Sequence, residues 1–390
     1  MKPLEGVRIV SVEQYAAAPY GTALLAGMGA EVIRIENPTA GGDAGRRTGP
    51  HLLGDGDSQY FQTWNLNKKS VALDLKSANG RAQFEALALT SDAVVNNLRG
   101  DQAAKIGLDY AALGKLKPSL VCLHVTAYGR ENERAGRPGY DYMMQAESGL
   151  MSLTGEPGSP PSRTGGPSMV DHATAMTAMV GLLGALLGAK TTGKGCDVDV
   201  SLMDVALHQL GYAATWFLNS GDLQTQQPRS SHFAVTPVQT FTTQDGWIMV
   251  MCMTDRFWEA MLGVMGRSDL GRDPRFASNP ARVTHRSELT EILDAEFRRR
   301  TTAEWLDLLS DILPVGPVND LGQALSSEFI ARTGMIQNAP HPSDPGFRVV
   351  ASPIKINGQR AQAQVCSAMG ADTDAILGAL ADAPMPEFAK

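Results

Sequence analysis

Cysteine is scarce in this chain of 390 residues. Four are present, Cys122, Cys196, Cys252 and Cys366, and no two stand at the spacing of a metal knuckle. That excludes a disulfide scaffold and reads as free thiols in a reducing compartment. Excess positive charge is also missing. The formal net charge is −7, which argues against general nucleic-acid binding but leaves room for an anionic small molecule in a locally basic groove. Low-complexity tracts and repeats at solenoid spacing are absent. The opening MKPLEGVRIV enters a strand at once and carries no signal-peptide h-region, so a cytoplasmic protein is expected. The single long apolar run, residues 173–189, is broken by Thr174, Thr177 and three glycines. It is at the short end for a membrane span and reads as a buried core helix, so no membrane partner is expected.

What is present describes a globular chain, 43% apolar and 19% charged, too long for one ordinary core. Two domains are therefore expected. Residues 7–12 read as a strand, 19–28 as a helix and 30–36 as a second strand. This β-α-β unit opens a parallel sheet. Its first turn reads Glu13-Gln14-Tyr15-Ala16-Ala17-Ala18-Pro19. The G-x-G-x-x-G that lets a backbone approach pyrophosphate is missing, which excludes a nicotinamide site of that kind. Further strands are expected at 92–97, 119–126 and 193–202, with helices at 77–90 and 203–219. Between them lie two polar features at strand ends. Lys68, Lys69 and Lys76 flank a short strand, either as edge gatekeepers or as a basic lip for phosphates. Asn97-Leu98-Arg99-Gly100 follows another strand, where ligands bind in open α/β sheets.

A shift in composition places the large α/β domain at 1–222, a linker at 223–239 and a smaller α+β domain at 240–335. The smaller domain opens with a hairpin around Gln244-Asp245-Gly246. Residues 336–390 read as a second linker and a return to the large domain, closing with a helix at 373–381.

The stretch Gly165-Gly166-Pro167-Ser168-Met169-Val170-Asp171-His172 joins a glycine turn to the apolar run. Two readings of Asp171 fit. It caps a helix N-terminus, or it is a nucleophilic carboxylate that the helix end keeps ionised. Position alone does not choose between them.

Segments along nearly the whole chain choose. PLEGVRIVSVEQYAAAPYGTALLAGMGAEVIRIENP, NLNKKSVALDLK, VVNNLRGDQAAKIGLDY, GYDYMMQAESGLMSLTG and TGKGCDVDVSLMDVAL, in that order, resemble the class III CoA-transferases, the CaiB–BaiF group. The resemblance implies a Rossmann-like parallel sheet, a smaller α+β domain and an interlocked homodimer. It implies that Asp171 matches the nucleophilic aspartate. Coenzyme A, as a substrate moiety with no other cofactor and no metal, would contact Ala16, Ala17, Leu73, Leu75, Lys76, Asn97, Leu98, Arg99, Lys105, Arg137 and Tyr140. The partners would be an acyl-CoA and a carboxylic acid. Two departures stand out. Asn37 replaces an arginine that some members place near the adenine, and no glycine-rich closing loop appears between 225 and 245. Two alternatives remain: a 2-methylacyl-CoA racemase of the same fold, and a non-catalytic CoA-binding protein. A racemase of this group would carry a histidine at Tyr140. Among the seven histidines, His232 is a candidate for the substrate side.

Overall fold

The structure is a computed structural model that describes residues 1–381. Its chain divides into two compact units. The larger takes 1–148, 165–210 and 328 onward; the smaller takes 149–164 and 211–327. The boundary that composition places after 222 falls at 210/211, twelve residues earlier. The reason is local: the expected helix at 203–219 is two helices, interrupted where Gly211 adopts φ 55°. The Gly/Pro/Ser loop after residue 148 also joins the smaller unit, which composition does not show.

The larger unit is built on one six-stranded parallel sheet. Its strands are β1 (Arg8–Val12), β2 (Glu31–Glu36), β3 (Lys69–Ala72), β4 (Ala93–Asn96), β5 (Val121–Thr126) and β6 (Asp197–Ser201). Their order is β3-β2-β1-β4-β5-β6, so the direction of winding reverses between β1 and β4. The helices of its first two stretches are α1 (Ala17–Gly27), α2 (Gln59–Asn65), α3 (Ala78–Leu89), α4 (Tyr110–Leu113), α5 (Asp141–Ser148), α6 (Met169–Thr192) and α7 (Leu202–His208). The central strands are apolar on both faces because helices cover both. Ile9, Ile33, Val94 and Leu123 are fully buried, each contributing about 1.5–3 kcal/mol of hydrophobic stabilisation. The closing helix Thr373–Ala381 packs on α3 and β3, which returns the chain to this unit.

The long apolar helix α6 lies on α1 and on β5 and β6. Val170, Ala178, Leu182 and Leu186 are buried, while Val180 and Leu187 are 73% and 70% exposed. One face is therefore core and the other is open, a division that the uniformly apolar sequence conceals.

The smaller unit has its own core. A three-stranded antiparallel sheet pairs Val238–Thr242 with Trp247–Met251, and the latter with Val315–Pro317. The hairpin is as expected; the third strand is a late return too short to read. Phe241, Trp258, Met261, Leu289, Phe297 and Trp305 are buried together there.

Candidate active site

In an open parallel sheet, loops from neighbouring strands diverge at the point where winding reverses, leaving a crevice at the carboxyl ends. Here that crevice is an open cavity of about 320 Å³. Gln14–Ala17 after β1, Asn97–Arg99 after β4 and Val125–Ala127 at the end of β5 line it, with Arg137–Tyr140, Asp171 and Leu202. The walls are tied to one another. Asn97 accepts from the Gln14 N–H at 2.9 Å and donates to the Gln14 carbonyl at 2.7 Å. Gly100 carries no side chain because a Cβ there would collide with the Gly129 carbonyl oxygen.

Of the twelve residues named from sequence, eight line this cavity: Ala16, Ala17, Asn97, Leu98, Arg99, Arg137, Tyr140 and Asp171. Four do not. Leu73 is buried behind the end of β3, Leu75 packs into the core beside it, and Lys76 is exposed at the same end. Lys105 is exposed and pairs with Asp101 at 2.6 Å. The basic lip also needs correcting. Lys68, the residue before β3, turns inward, where its ammonium meets Glu13 at 2.7 Å with both side chains fully buried. Burial pushes the Lys68 ammonium down to about 8 against the attraction of Glu13. Lys69 faces solvent and pairs with Glu31.

Asp171 is not the helix cap. Ser168 occupies that position with φ 59° and makes no side-chain cap bond, so Asp171 is the third residue of α6. Its own N–H is satisfied by a second carboxylate: Asp141 Oδ2 accepts it at 2.9 Å. Asp141 is buried at the start of α5, where Gln145 donates to its other oxygen. The surroundings also work against the expectation that the helix end keeps Asp171 ionised. Burial, and then the nearby Asp141 carboxylate, push the Asp171 carboxyl up to about 7. Both disfavour its charge, against a hydrogen bond from the Ser168 side chain that favours it.

Sequence reasoning missed several members of this site. Gln14, Tyr15 and Gln102 line the cavity. Tyr15 meets Tyr140 edge to face, with centroids 5.9 Å apart. The Tyr60 phenol is pushed up to about 12, by burial first and by the Asp171 charge next. Asp141 was legible, since it completes the Gly139-Tyr140-Asp141 motif, but its role required the meeting of α5 and α6. His172 turns away: its Nδ1–H donates to the Ser168 carbonyl at 2.7 Å, and its ring packs on Tyr20 and Trp64. His232 lies in the smaller unit, stacked on Tyr212, with Arg286 donating to its carbonyl.

The chain is similar to known proteins along most of its length. The family model for CoA-transferase family III matches residues 4–373. A mouse succinyl-CoA:glutarate CoA-transferase is 33% identical, covering 92% of this chain and 82% of its own. An acetyl-CoA:oxalate CoA-transferase of Acetobacter aceti is 31% identical, covering 91% and 90%. A CaiB/BaiF family protein from Brucella suis superposes with a TM-score of 0.84 at 28% identity, covering 97% of this chain and 99% of that one. The chain belongs to CoA-transferase family III and is a CoA-transferase.

Proposed function

We propose that this protein moves coenzyme A from an acyl-CoA to a carboxylic acid through covalent intermediates on Asp171. The observation that carries the reading is the placement of the Asp171 carboxyl: on the first turn of α6, lining the cavity at the switch point, with its charge penalised by burial and by Asp141.

The chemistry follows from that placement. The Asp171 carboxylate attacks the thioester carbonyl, the C–S bond breaks, and CoA leaves as a thiolate. The product is a mixed anhydride. The thiolate attacks the aspartyl carbonyl, forming an aspartyl-CoA thioester and releasing the donor acid as a carboxylate. The acceptor carboxylate attacks this thioester, and the thiolate then attacks the acceptor's carbonyl in the new anhydride. CoA departs on the acceptor and Asp171 is restored. No proton changes hands, which suits a carboxylate better than serine. The burial that penalises the Asp171 charge is relieved when the carboxylate becomes a neutral acyl group, so ground-state destabilisation works in the forward direction.

Coenzyme A is assigned to the wall formed by Ala16, Ala17, Asn97, Leu98, Arg99, Arg137 and Tyr140. Leu73, Leu75, Lys76 and Lys105 stand outside the cavity and are kept as a proposed continuation of that track. A homodimer is part of the proposal, and the open apolar face of α6 supports a second copy. The racemase alternative gains no support, because Tyr140 stands where its second base would be and tyrosine has an ordinary pKa of about 10.

The test is to incubate the protein with acyl-CoA and hydroxylamine and map the product by mass. A hydroxamate at position 171 is expected. CoA exchange between acids with no adduct at 171 would overturn the proposal.

A further inference from the structure

The turn after β1, Glu13-Gln14-Tyr15, leads into one wall of the cavity, Gln14–Ala17, and it holds Tyr15 at φ 60°. A bulky residue stays in the left-handed region only where its surroundings over-determine it. Side chains from three other segments hold these peptide groups. Arg34 Nη2 donates to the Glu13 carbonyl at 3.0 Å. Asn97 clamps Gln14 on both sides. Asp43 Oδ1 accepts from the Tyr15 N–H at 3.3 Å.

Behind the turn lies a buried set of charges. Glu13 accepts from Lys68 at 2.7 Å and from the Thr22 hydroxyl at 2.9 Å. Lys68 spends its other donors on the Pro19 carbonyl at 2.7 Å and Asn65 Oδ1 at 2.9 Å. Arg34 reaches Asp43 at 2.8 Å. The side chains of Glu13, Arg34, Asp43 and Lys68 are at most 1% exposed, and none lines the cavity. Stability alone does not call for this arrangement, since apolar residues of similar volume often replace a buried ion pair at no loss. What the charges add is direction. Lys68 joins Glu13, before the turn, to Pro19, in the helix that follows it, so the ends of the segment 13–19 are fixed to one ammonium.

We infer that Glu13 and Lys68 are positioning residues for CoA transfer: together they hold the Gln14–Ala17 wall in register with Asp171, although neither touches the substrate. The inference rests on the reading of this cavity as the transfer site. It assigns a function to a lysine whose sequence context suggested phosphate binding.

The experiment compares Glu13→Gln with the double variant Glu13→Met/Lys68→Met. Gln keeps the hydrogen bonds and removes the charge. In Glu13→Gln, kcat is expected to fall on the order of 10²-fold, the scale of a 1 Å misplacement, while KM for acyl-CoA changes little. Amide hydrogen exchange of the segment 13–17 is expected to rise, a readout that needs no activity. In the double variant the melting temperature recovers while kcat stays low. Unchanged kcat and unchanged exchange in Glu13→Gln would overturn the inference. So would a double variant that regains both stability and kcat, because the pair would then be structural only. If Glu13→Gln does not fold, the double variant decides by the same two measurements. Failure of the wider reading looks different: the unaltered protein would then show no transfer, while the exchange result would stand.

Discussion

The N–H of Asp171 donates to the carboxylate of Asp141 at 2.9 Å, so one acid ties down the helix turn that carries the other. The two carboxyls repel as charges but cooperate as structure. That relation separates the effects of mutating either one.

The first prediction concerns pH. The Asp171 carboxyl sits at about 7, raised by burial and then by Asp141. Attack requires the ionised form. kcat/KM for acyl-CoA is therefore expected to climb with pH, tenfold per unit well below 7, and to level off above it. A profile flat from pH 5 to 8 would show that the reacting group titrates elsewhere.

Removing the Asp141 charge moves that limb. Asp141→Asn deletes the repulsion, so the acid limb is expected at lower pH. The amide has one acceptor oxygen where the carboxylate has two, so either the Asp171 N–H or Gln145 loses its partner. A stability loss of about 1–3 kcal/mol is the expected cost of that unpaired group. An acid limb that stays in place would show that burial alone sets the Asp171 carboxyl.

Much of this site was legible in the sequence, and the limits have physical causes. The parallel sheet could be read because β1, β4 and β5 are short apolar runs between turn signals. The polar ends of β1 and β4 pointed to the crevice for the same reason. Lys68 misled because a lysine beside a strand reads as solvated unless its acid is known, and Glu13 lies 55 residues away in the chain. The cap reading of Asp171 was three residues off because Ser168, in a left-handed conformation, holds the cap position. The open face of α6 could not be seen at all, since both of its faces are apolar.

A third prediction uses Asp171→Asn, whose two effects run in opposite directions. Transfer is expected to vanish, since an amide oxygen does not open a thioester at a useful rate. Stability is expected to rise at neutral pH. The folded carboxyl, at about 7, lies above its unfolded value, so the native state binds its proton more tightly. Native stability in the unaltered protein therefore falls as pH rises from about 4 to about 7, with a slope of at most about 1.4 kcal/mol per pH unit. The variant has no such slope. Its advantage over the unaltered protein grows across that window and stays constant above it. Denaturant unfolding at pH 4, 5.5, 7 and 8 measures this. A constant difference across all four would mean that the Asp171 carboxyl is not raised.

The last prediction concerns charge steering toward the cavity. With Lys68 buried against Glu13, the cationic residues that line the cavity are Arg99 and Arg137, within a protein of net charge −7. Arg99 is half exposed, and its Nη1 donates to the Gly136 carbonyl at 3.3 Å, so it bridges the loop after β4 to the segment that carries Arg137. If these two arginines meet the phosphates of coenzyme A, affinity should fall as salt rises, because charges that open to solvent are screened over about 10 Å at 0.1 M. Arg99→Gln and Arg137→Gln are each expected to weaken acyl-CoA binding several-fold and to flatten its salt dependence. kcat should change little, since neither residue is placed on Asp171. Lys69→Gln is the control: its ammonium pairs with Glu31 and does not line the cavity, so affinity and salt dependence should be unchanged. Titration calorimetry at low and high salt on the unaltered protein, the three single variants and the Arg99→Gln/Arg137→Gln double variant reads affinity and salt dependence, and steady-state kinetics reads kcat. A salt dependence that survives in the Arg99→Gln/Arg137→Gln double variant would put the phosphates elsewhere, and the first residues to examine would then be Lys76 and Lys105, outside the cavity.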